Sequence, residues 1–242
     1  MIKAISFDLW NTLITSNPAF KDAQLTLFSH FLNIDVLTLS PALHYLDKEL
    51  DKKAEKTCVQ TDFTERINLL AQKLACPLPT GAGKVQDLYD AQASLFLQHL
   101  PYESEEKIGK LLTILSTPNA HTLQTPLNKD GVMLFLVSNT GFIAGKTLRL
   151  AMDALNIGTQ WKLMLFSDEI GYSKPDKRIF APLLHETGLK SSDILHIGDN
   201  FITDYQGARK CGLASQLYTK HLPTFDANVD TINSLWELVK TN

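Results

Sequence analysis

Cysteine is scarce in this chain. Cys58, Cys76 and Cys211 are odd in number and far apart, which argues against a disulfide frame and for reduced thiols in a cytosol. No apolar run approaches the length needed to cross a membrane, and the N-terminus has no basic segment leading into an apolar stretch and a cleavage site. These absences read as a cytoplasmic protein with no membrane partner. Runs of lysine or arginine are missing too, and the net charge is −3, so nucleic acid is not the expected partner. No His or Cys spacing suggests zinc.

What is present is ordinary for a globular protein, with 44% hydrophobic and 20% charged residues. A chain of 242 residues makes one large α/β domain or two modest ones. The first informative stretch is Lys3-Ala4-Ile5-Ser6-Phe7-Asp8-Leu9-Trp10-Asn11-Thr12-Leu13. Its apolar start reads as a buried strand, and Asp8 stands where that strand meets an Asn-Thr turn signal. Carboxyl ends of strands in an open α/β sheet are where ligands bind.

The pattern then turns helical from about Ser16 to Ser116. Asn17-Pro18 and Ser40-Pro41 read as two helix starts, with a cap followed by proline at the first helical position. Thr61 with Glu65 reads as a third, and Lys84 to Leu100 and Ser104 to Leu115 as two more. No strand is expected in this block, which looks like an insertion with its own small core. Strands return with Val132 to Val137, ending in Ser138-Asn139-Thr140-Gly141. Leu163 to Phe166 is the next, then a loop through Lys174-Pro175, with Pro175 opening a helix to Gly188. Ile194 to Ile197 ends in Gly198-Asp199-Asn200. A helical segment from Asp204 to Lys210, a strand at Ser215 to Tyr218 and a helix near Ile232 to Val239 complete the chain. Alternating strands and helices predict an α/β fold with a doubly wound, mostly parallel sheet and an inserted all-helical domain. The predicted division gives residues 1–15 and 116–242 to the α/β core and 16–115 to the helical cap.

Such a sheet brings Asp8, Ser138-Asn139, Lys174, Asp199 and Asp204 to one crevice. Clustered carboxylates suit a hard divalent cation such as Mg²⁺. A hydroxyl, backbone N–H groups and a lysine suit phosphoryl oxygens. Taken singly, Ser138-Asn139 could be a helix cap, Lys174 a solvated lysine and Asp204 another cap. His196, on a buried strand, reads as a satisfied core histidine.

Together these residues resemble the haloacid dehalogenase (HAD) superfamily of hydrolases, in its helical-cap branch. The likeness rests on Phe7-Asp8-x-x-x-Thr12-Leu13, Ser138-Asn139 after an apolar strand, Lys174-Pro175, and Gly198-Asp199 with Asp204 five residues on. The run Ser167-Asp168-Glu169-x-Gly171-x-x-Lys174-Pro175 has the form found where a helical cap comes after the first motif. The resemblance implies a Rossmann-like core and an enzyme in which Asp8 attacks phosphorus to form an aspartyl-phosphate. It implies Mg²⁺ held by Asp8, the Trp10 carbonyl and Asp199, with Asp204 acting on metal-bound water or on Lys174. Ser138, Asn139 and Lys174 would bind the phosphoryl group. The implied substrate is a small phosphorylated metabolite, a sugar phosphate or nucleotide, and the chain could be monomer or homodimer.

One position departs from the pattern. Phosphatases of this family carry a second Asp two residues after the nucleophile, as general acid and base. Here Trp10 stands there, and it can do neither. Either the leaving group needs little protonation, or the cap supplies an acid, or the protein binds a phosphorylated ligand with little turnover. A 2-haloacid dehalogenase also has an aromatic residue at this place. Against that reading, no arginine occurs from Pro18 to Glu65 to hold a substrate carboxylate, and Gly198-Asp199-Asn200 has the metal-binding form.

Overall fold

Alternate residues of the first strand face opposite ways, and both faces are apolar enough to be covered. In the computed structural model, which describes residues 1–118, 131–220 and 228–239, strand β1 (Ala4–Phe7) is buried throughout. It is followed by a two-residue strand β2 (Ile14–Thr15) and helices α1 (Pro18–Leu32), α2 (Val36–Thr57), α3 (Phe63–Lys73) and α4 (Lys84–Gln98). Next come β3 (Tyr102–Glu103) and α5 (Ile108–Ser116). The remaining strands are β4 (Met133–Ser138), β5 (Trp161–Phe166), β6 (Ile194–Gly198), β7 (Ala214–Tyr218) and β8 (Thr231–Ile232). Between and among them lie α6 (Gly145–Ala154), α7 (Ser167–Ile170), α8 (Lys177–Thr187) and α9 (Gly207–Lys210). The approach to β4 from 119 to 130 lies outside the described residues.

Six strands form one sheet in the order β5-β4-β1-β6-β7-β8, every neighbouring pair parallel. Ile5 and Phe7 of β1, with Leu134 and Leu136 of β4, pack on one face beside α5 and α6. Ala4, Phe135 and Val137 pack on the other face with Ile179, Phe180 and Leu183 of α8. This is the doubly wound, Rossmann-like sheet expected, with the chain crossing from one side of β1 to the other between β5 and β6. Such a switch point opens a crevice at the strand ends.

The helical block has an apolar cluster of its own, built on Phe28, Leu39, Leu43, Ile67 and Leu70 and joined by Phe142 from the loop after β4. One helix of the stretch stands apart from that cluster. Ile108, Leu111, Leu112 and Leu115 of α5 pack with the sheet residues, so the last helix of that stretch covers β4 and does not belong to the block's own cluster. The expectation of no strand there fails. Ile14 and Thr15 pair antiparallel with Glu103 and Tyr102, two residues a side being too short to leave a period in the sequence.

Helix ends shifted where two cap signals competed. Ser40-Pro41 lies inside α2, whose cap is Asp35, accepting from the Thr38 N–H at 2.9 Å. Proline there removes the bond to the Leu37 carbonyl, and Leu37 is 87% exposed, where water can replace it. Asp62, not Thr61, caps α3, and Asp176 caps α8 one residue after Pro175. The helix expected near Ile232 to Val239 is instead β8 followed by one 3₁₀ turn, Leu235–Leu238, capped reciprocally by Ser234 and Glu237. Asp204 falls in a π-helical turn, Phe201–Gln206, before α9.

Candidate active site

Parallel pairing fixes which residues meet at the crevice. Phe7 lies opposite Leu136 and Ile197, and the Asp8 N–H continues the ladder to the Ile197 carbonyl at 2.8 Å. Asp8, Ser138 and Asp199 therefore emerge at one edge from three adjacent strands. Gly198 admits Asp204: a Cβ there would stand 2.3 Å from the Asp204 carboxyl carbon. Carboxylate oxygens of Asp8, Asp199 and Asp204 lie within 4.8 Å of one another.

Lys174 sits among them. Its side chain is 1% exposed, and its ammonium donates to Asp8 Oδ1 and Asp204 Oδ1, both at 2.6 Å. The solvated-lysine reading is thereby excluded. The Lys174 backbone is gripped by Asn139, whose Nδ2 donates to the Lys174 carbonyl at 3.0 Å and whose Oδ1 accepts from its N–H at 2.7 Å. One donor and one acceptor of the Asn139 side chain are thus engaged by the loop. Ser138 is buried, its hydroxyl donating to the Asn139 carbonyl at 3.2 Å.

Asp204 is saturated. Besides Lys174, it accepts from His196 Nε2 at 3.1 Å, the Asn200 N–H at 3.0 Å and the Thr203 hydroxyl at 3.5 Å. Because a carboxylate only accepts, His196 carries its proton on Nε2, and its Nδ1 receives the Ser6 hydroxyl at 2.8 Å. His196 is the satisfied core histidine expected. Its link to Asp204 could not be read from a strand pattern, although alternation does place Ser6 and His196 on one face, in register.

One ammonium among three carboxylates leaves an excess of negative charge. Burial pushes Asp8 up to about 6 against the pull of Lys174. Asp199 rises to about 7 through burial and the charges of Asp8 and Asp204, with an Asn11 hydrogen bond opposing. Burial also acts on Asp204, but Lys174 and His196 hold it well below the usual carboxylate range. Lys174 is itself raised: burial opposes its charge, and Asp204 and Asp8 more than offset that. His196 is lowered, chiefly by burial, and stays neutral. A divalent cation fits this donor set, since it would relieve the repulsion that otherwise favours protonated Asp8 and Asp199.

A cavity of about 510 Å³ opens over these groups. Trp10 forms part of its wall, tilted against Phe96 with ring centroids 6.1 Å apart, and Phe96 meets Phe20 edge-on at 5.0 Å. The helical block adds Asp47, Asp51, Glu55 and Arg66 to the lining. Burial pushes Asp47 up to about 6, with Arg66 pulling it back, and raises Asp51 likewise. Arg66 stands one residue past the stretch that lacks arginine. It is 3% exposed, donates to the carbonyls of Thr61 at 3.0 Å and Thr140 at 3.4 Å, and lies 3.6 Å from Asp47.

A family model described as haloacid dehalogenase-like hydrolase matches residues 2–212. The bovine haloacid dehalogenase-like hydrolase domain-containing protein 3 is 32% identical over 104 residues, 43% of this chain and 40% of that protein. The match thus spans well under half the length of that relative. The pyrimidine 5′-nucleotidase YjjG of Escherichia coli is 32% identical over 166 residues, 61% of this chain and 72% of that one. Among solved structures, magnesium-bound YfnB of Bacillus subtilis superposes with a TM-score of 0.69 at 17% identity, covering 98% of this chain and 96% of that one.

Proposed function

Because the chain belongs to the haloacid dehalogenase-like hydrolases, we propose that it is a Mg²⁺-dependent phosphatase of small phosphorylated metabolites. In this reading the helical block from Ser16 to about Leu100 is its cap, with α5 assigned to the core. The observation that carries the proposal is the single lysine among three carboxylates. That arrangement suits a divalent cation and a phosphoryl group arriving together.

Asp8 is the nucleophile. One of its oxygens attacks phosphorus, the bond from phosphorus to the leaving oxygen breaks, and water later cleaves the aspartyl-phosphate to regenerate the carboxylate. Lys174, 2.6 Å from Asp8 Oδ1, offsets charge on the transferring group. Ser138 turns its hydroxyl to a phosphoryl oxygen, and Asn139 contributes through its main chain while its amide steadies Lys174. Asp8, Asp199 and the Trp10 carbonyl would hold Mg²⁺, which when bound supplies a Lewis acid for the phosphoryl oxygens. Of the two roles open to Asp204, its four hydrogen bonds favour orienting Lys174 over binding metal. Nucleotides and sugar phosphates are the substrates to try first, and the likeness to a pyrimidine 5′-nucleotidase supports the former.

Arg66 removes one of the two arguments against carbon–halogen chemistry, since a cap arginine does line the cavity. The other stands. Asp199 would be an unneeded negative charge beside Asp8 in an enzyme without metal, and Asp47 beside Arg66 disfavours a substrate carboxylate there. A panel of phosphorylated metabolites, assayed with Mg²⁺ and with chelator, tests the reading. Mg²⁺-dependent phosphate release is expected, abolished (~10⁴-fold or more) in Asp8→Asn without loss of melting temperature, because that change removes a charge from a crowded site. Metal-independent chloride release from a 2-chlorocarboxylate would replace this reading with the dehalogenase one. Tight phosphate binding without turnover would leave a binding protein.

A further inference from the structure

Between α2 and α3 the chain makes a short turn whose residues touch the loops that carry the site. Cys58, in left-handed conformation with φ 58°, ends the helix, and its carbonyl accepts from the Ser173 N–H at 3.1 Å. Val59 forms an isolated antiparallel bridge with Tyr172. Gln60 then lays its carboxamide between two loops. Oε1 accepts from the hydroxyls of Ser167 at 2.7 Å and Ser173 at 3.0 Å. Nε2 donates to the carbonyls of Thr61 and Thr140, both at 3.1 Å.

An amide has two acceptor sites and two donors, and Gln60 uses all four. It can stand only one way round, because reversed it would set its oxygen against two carbonyls. Its partners in the core are adjacent to the working residues: Ser173 precedes Lys174, and Thr140 comes directly after Asn139, whose side chain grips the Lys174 backbone. Ser167 closes the ring by accepting from the Thr140 N–H at 2.8 Å. Ser167 and Ser173 are fully buried, so without Gln60 their hydroxyls lose a protein partner.

We propose that Gln60 is a positioning residue, through which the seated cap sets the loops of Ser138 and Lys174 for phosphoryl transfer. It rests on the phosphatase reading for its effect on rate, though not for its effect on the loops. The cap then does more than choose the substrate, because the Lys174 loop takes its working place against Gln60. Lys174 spans two carboxylates at 2.6 Å, and a displacement of about 1 Å at such a site costs on the order of a hundredfold in rate.

The experiment compares the full chain with Gln60→Ala and the isosteric Gln60→Glu, which keeps the acceptor and loses both donors. Amide hydrogen exchange over 138–141 and 172–176 reads the loops directly. Turnover of acetyl phosphate with Mg²⁺ reads the chemistry on a substrate with almost no leaving-group contact to the cap. Both variants should exchange faster in the two segments, and kcat should fall roughly ten- to a hundredfold with KM within about threefold. Gln60→Met serves if the glutamate variant does not fold. Unchanged exchange in the folded variants overturns the proposal whatever the rates do, as does a rise in KM at constant kcat, which would make Gln60 a substrate contact. If the parent hydrolyses no phosphate ester, the phosphatase reading falls while the exchange data still decide the role of Gln60.

Discussion

The strand-end crevice and the helical block above it hold polar groups in opposite ways. In the crevice, Asp8, Lys174, Asp204, His196 and Ser6 are all buried, and each is bonded to the next. In the block, α1 to α4 bury aliphatic and aromatic side chains and turn most of their charges outward, apart from a few aimed into the cavity. The first region is specified by partners, the second by volume and pattern. Cores tolerate volume-conserving exchange, whereas a buried cluster with surplus negative charge fails when its one cation is lost. The crevice should accordingly be far less tolerant of substitution.

Lys174→Met breaks that comparison most severely if it is wrong. Removing the ammonium leaves Asp8 and Asp204 buried without their counterion, a loss of ~3–5 kcal/mol. For a chain of this size that is a fall of roughly 10 °C in melting temperature, measured by calorimetry in chelator. A Phe28→Leu change in the block's cluster should cost much less. Equal effects of the two would erase the contrast.

A second test uses protons against metal. Asp8 and Asp199 have folded values above their unfolded ones, about 6 and about 7 against 3.8. The folded, metal-free protein therefore binds more protons than the unfolded chain between about pH 4 and pH 7, and the contribution of this pair to stability falls as pH rises through that window. Mg²⁺ competes for the same oxygens. Its stabilisation, ~2.7 kcal/mol at a hundredfold excess over Kd, should be nearly complete at pH 8 and mostly lost at pH 5. Thermal shifts at the two pH values measure it, and a shift independent of pH would place the cation elsewhere.

The smallest effect concerns Trp10, where the two regions meet. Without a carboxylate there, breakdown of the aspartyl-phosphate lacks its usual base, so with a substrate whose leaving group needs no proton, such as acetyl phosphate or p-nitrophenyl phosphate, a burst of one product per site should precede slow turnover. Trp10→Asp should raise the steady rate about tenfold, ~1.4 kcal/mol of barrier. The gain is limited because Phe96 loses the ring it packs against. A quenched-flow assay separates the phases. A parent without a burst, as fast as the variant, would direct attention to Asp47, Asp51 and Glu55 on the cavity wall.

The same contrast explains which residues were legible in the chain alone. Asp8, Ser138, Lys174, Asp199 and Asp204 were, because apolar runs locate the strands and a parallel sheet gathers the residues just past their carboxyl ends along one edge. Pairings such as Gln60 with Ser173, or Arg66 with Thr140, were not. They join residues 74 or more positions apart, and the block's docking, which no local pattern encodes, decides them. Asn139 was found, but its grip on Lys174 was not, because that depends on where the loop returns. Boundaries failed where signals overlapped, as at Asp35 and Ser40-Pro41, or where an element was one turn long, as after Ser234.

The pairing of β2 with β3 has a consequence for how such a molecule can be assembled. Chain leaving the sheet at Thr15 and chain returning at Tyr102 lie side by side, so everything from Ser16 to Pro101 is, to the core, the loop of a hairpin. The entropy of closing a loop grows only with the logarithm of its length. A short turn and a whole folded module are therefore nearly equivalent at that junction. One could be exchanged for the other, in evolution or by recombinant grafting, without disturbing the register of a single strand in the main sheet.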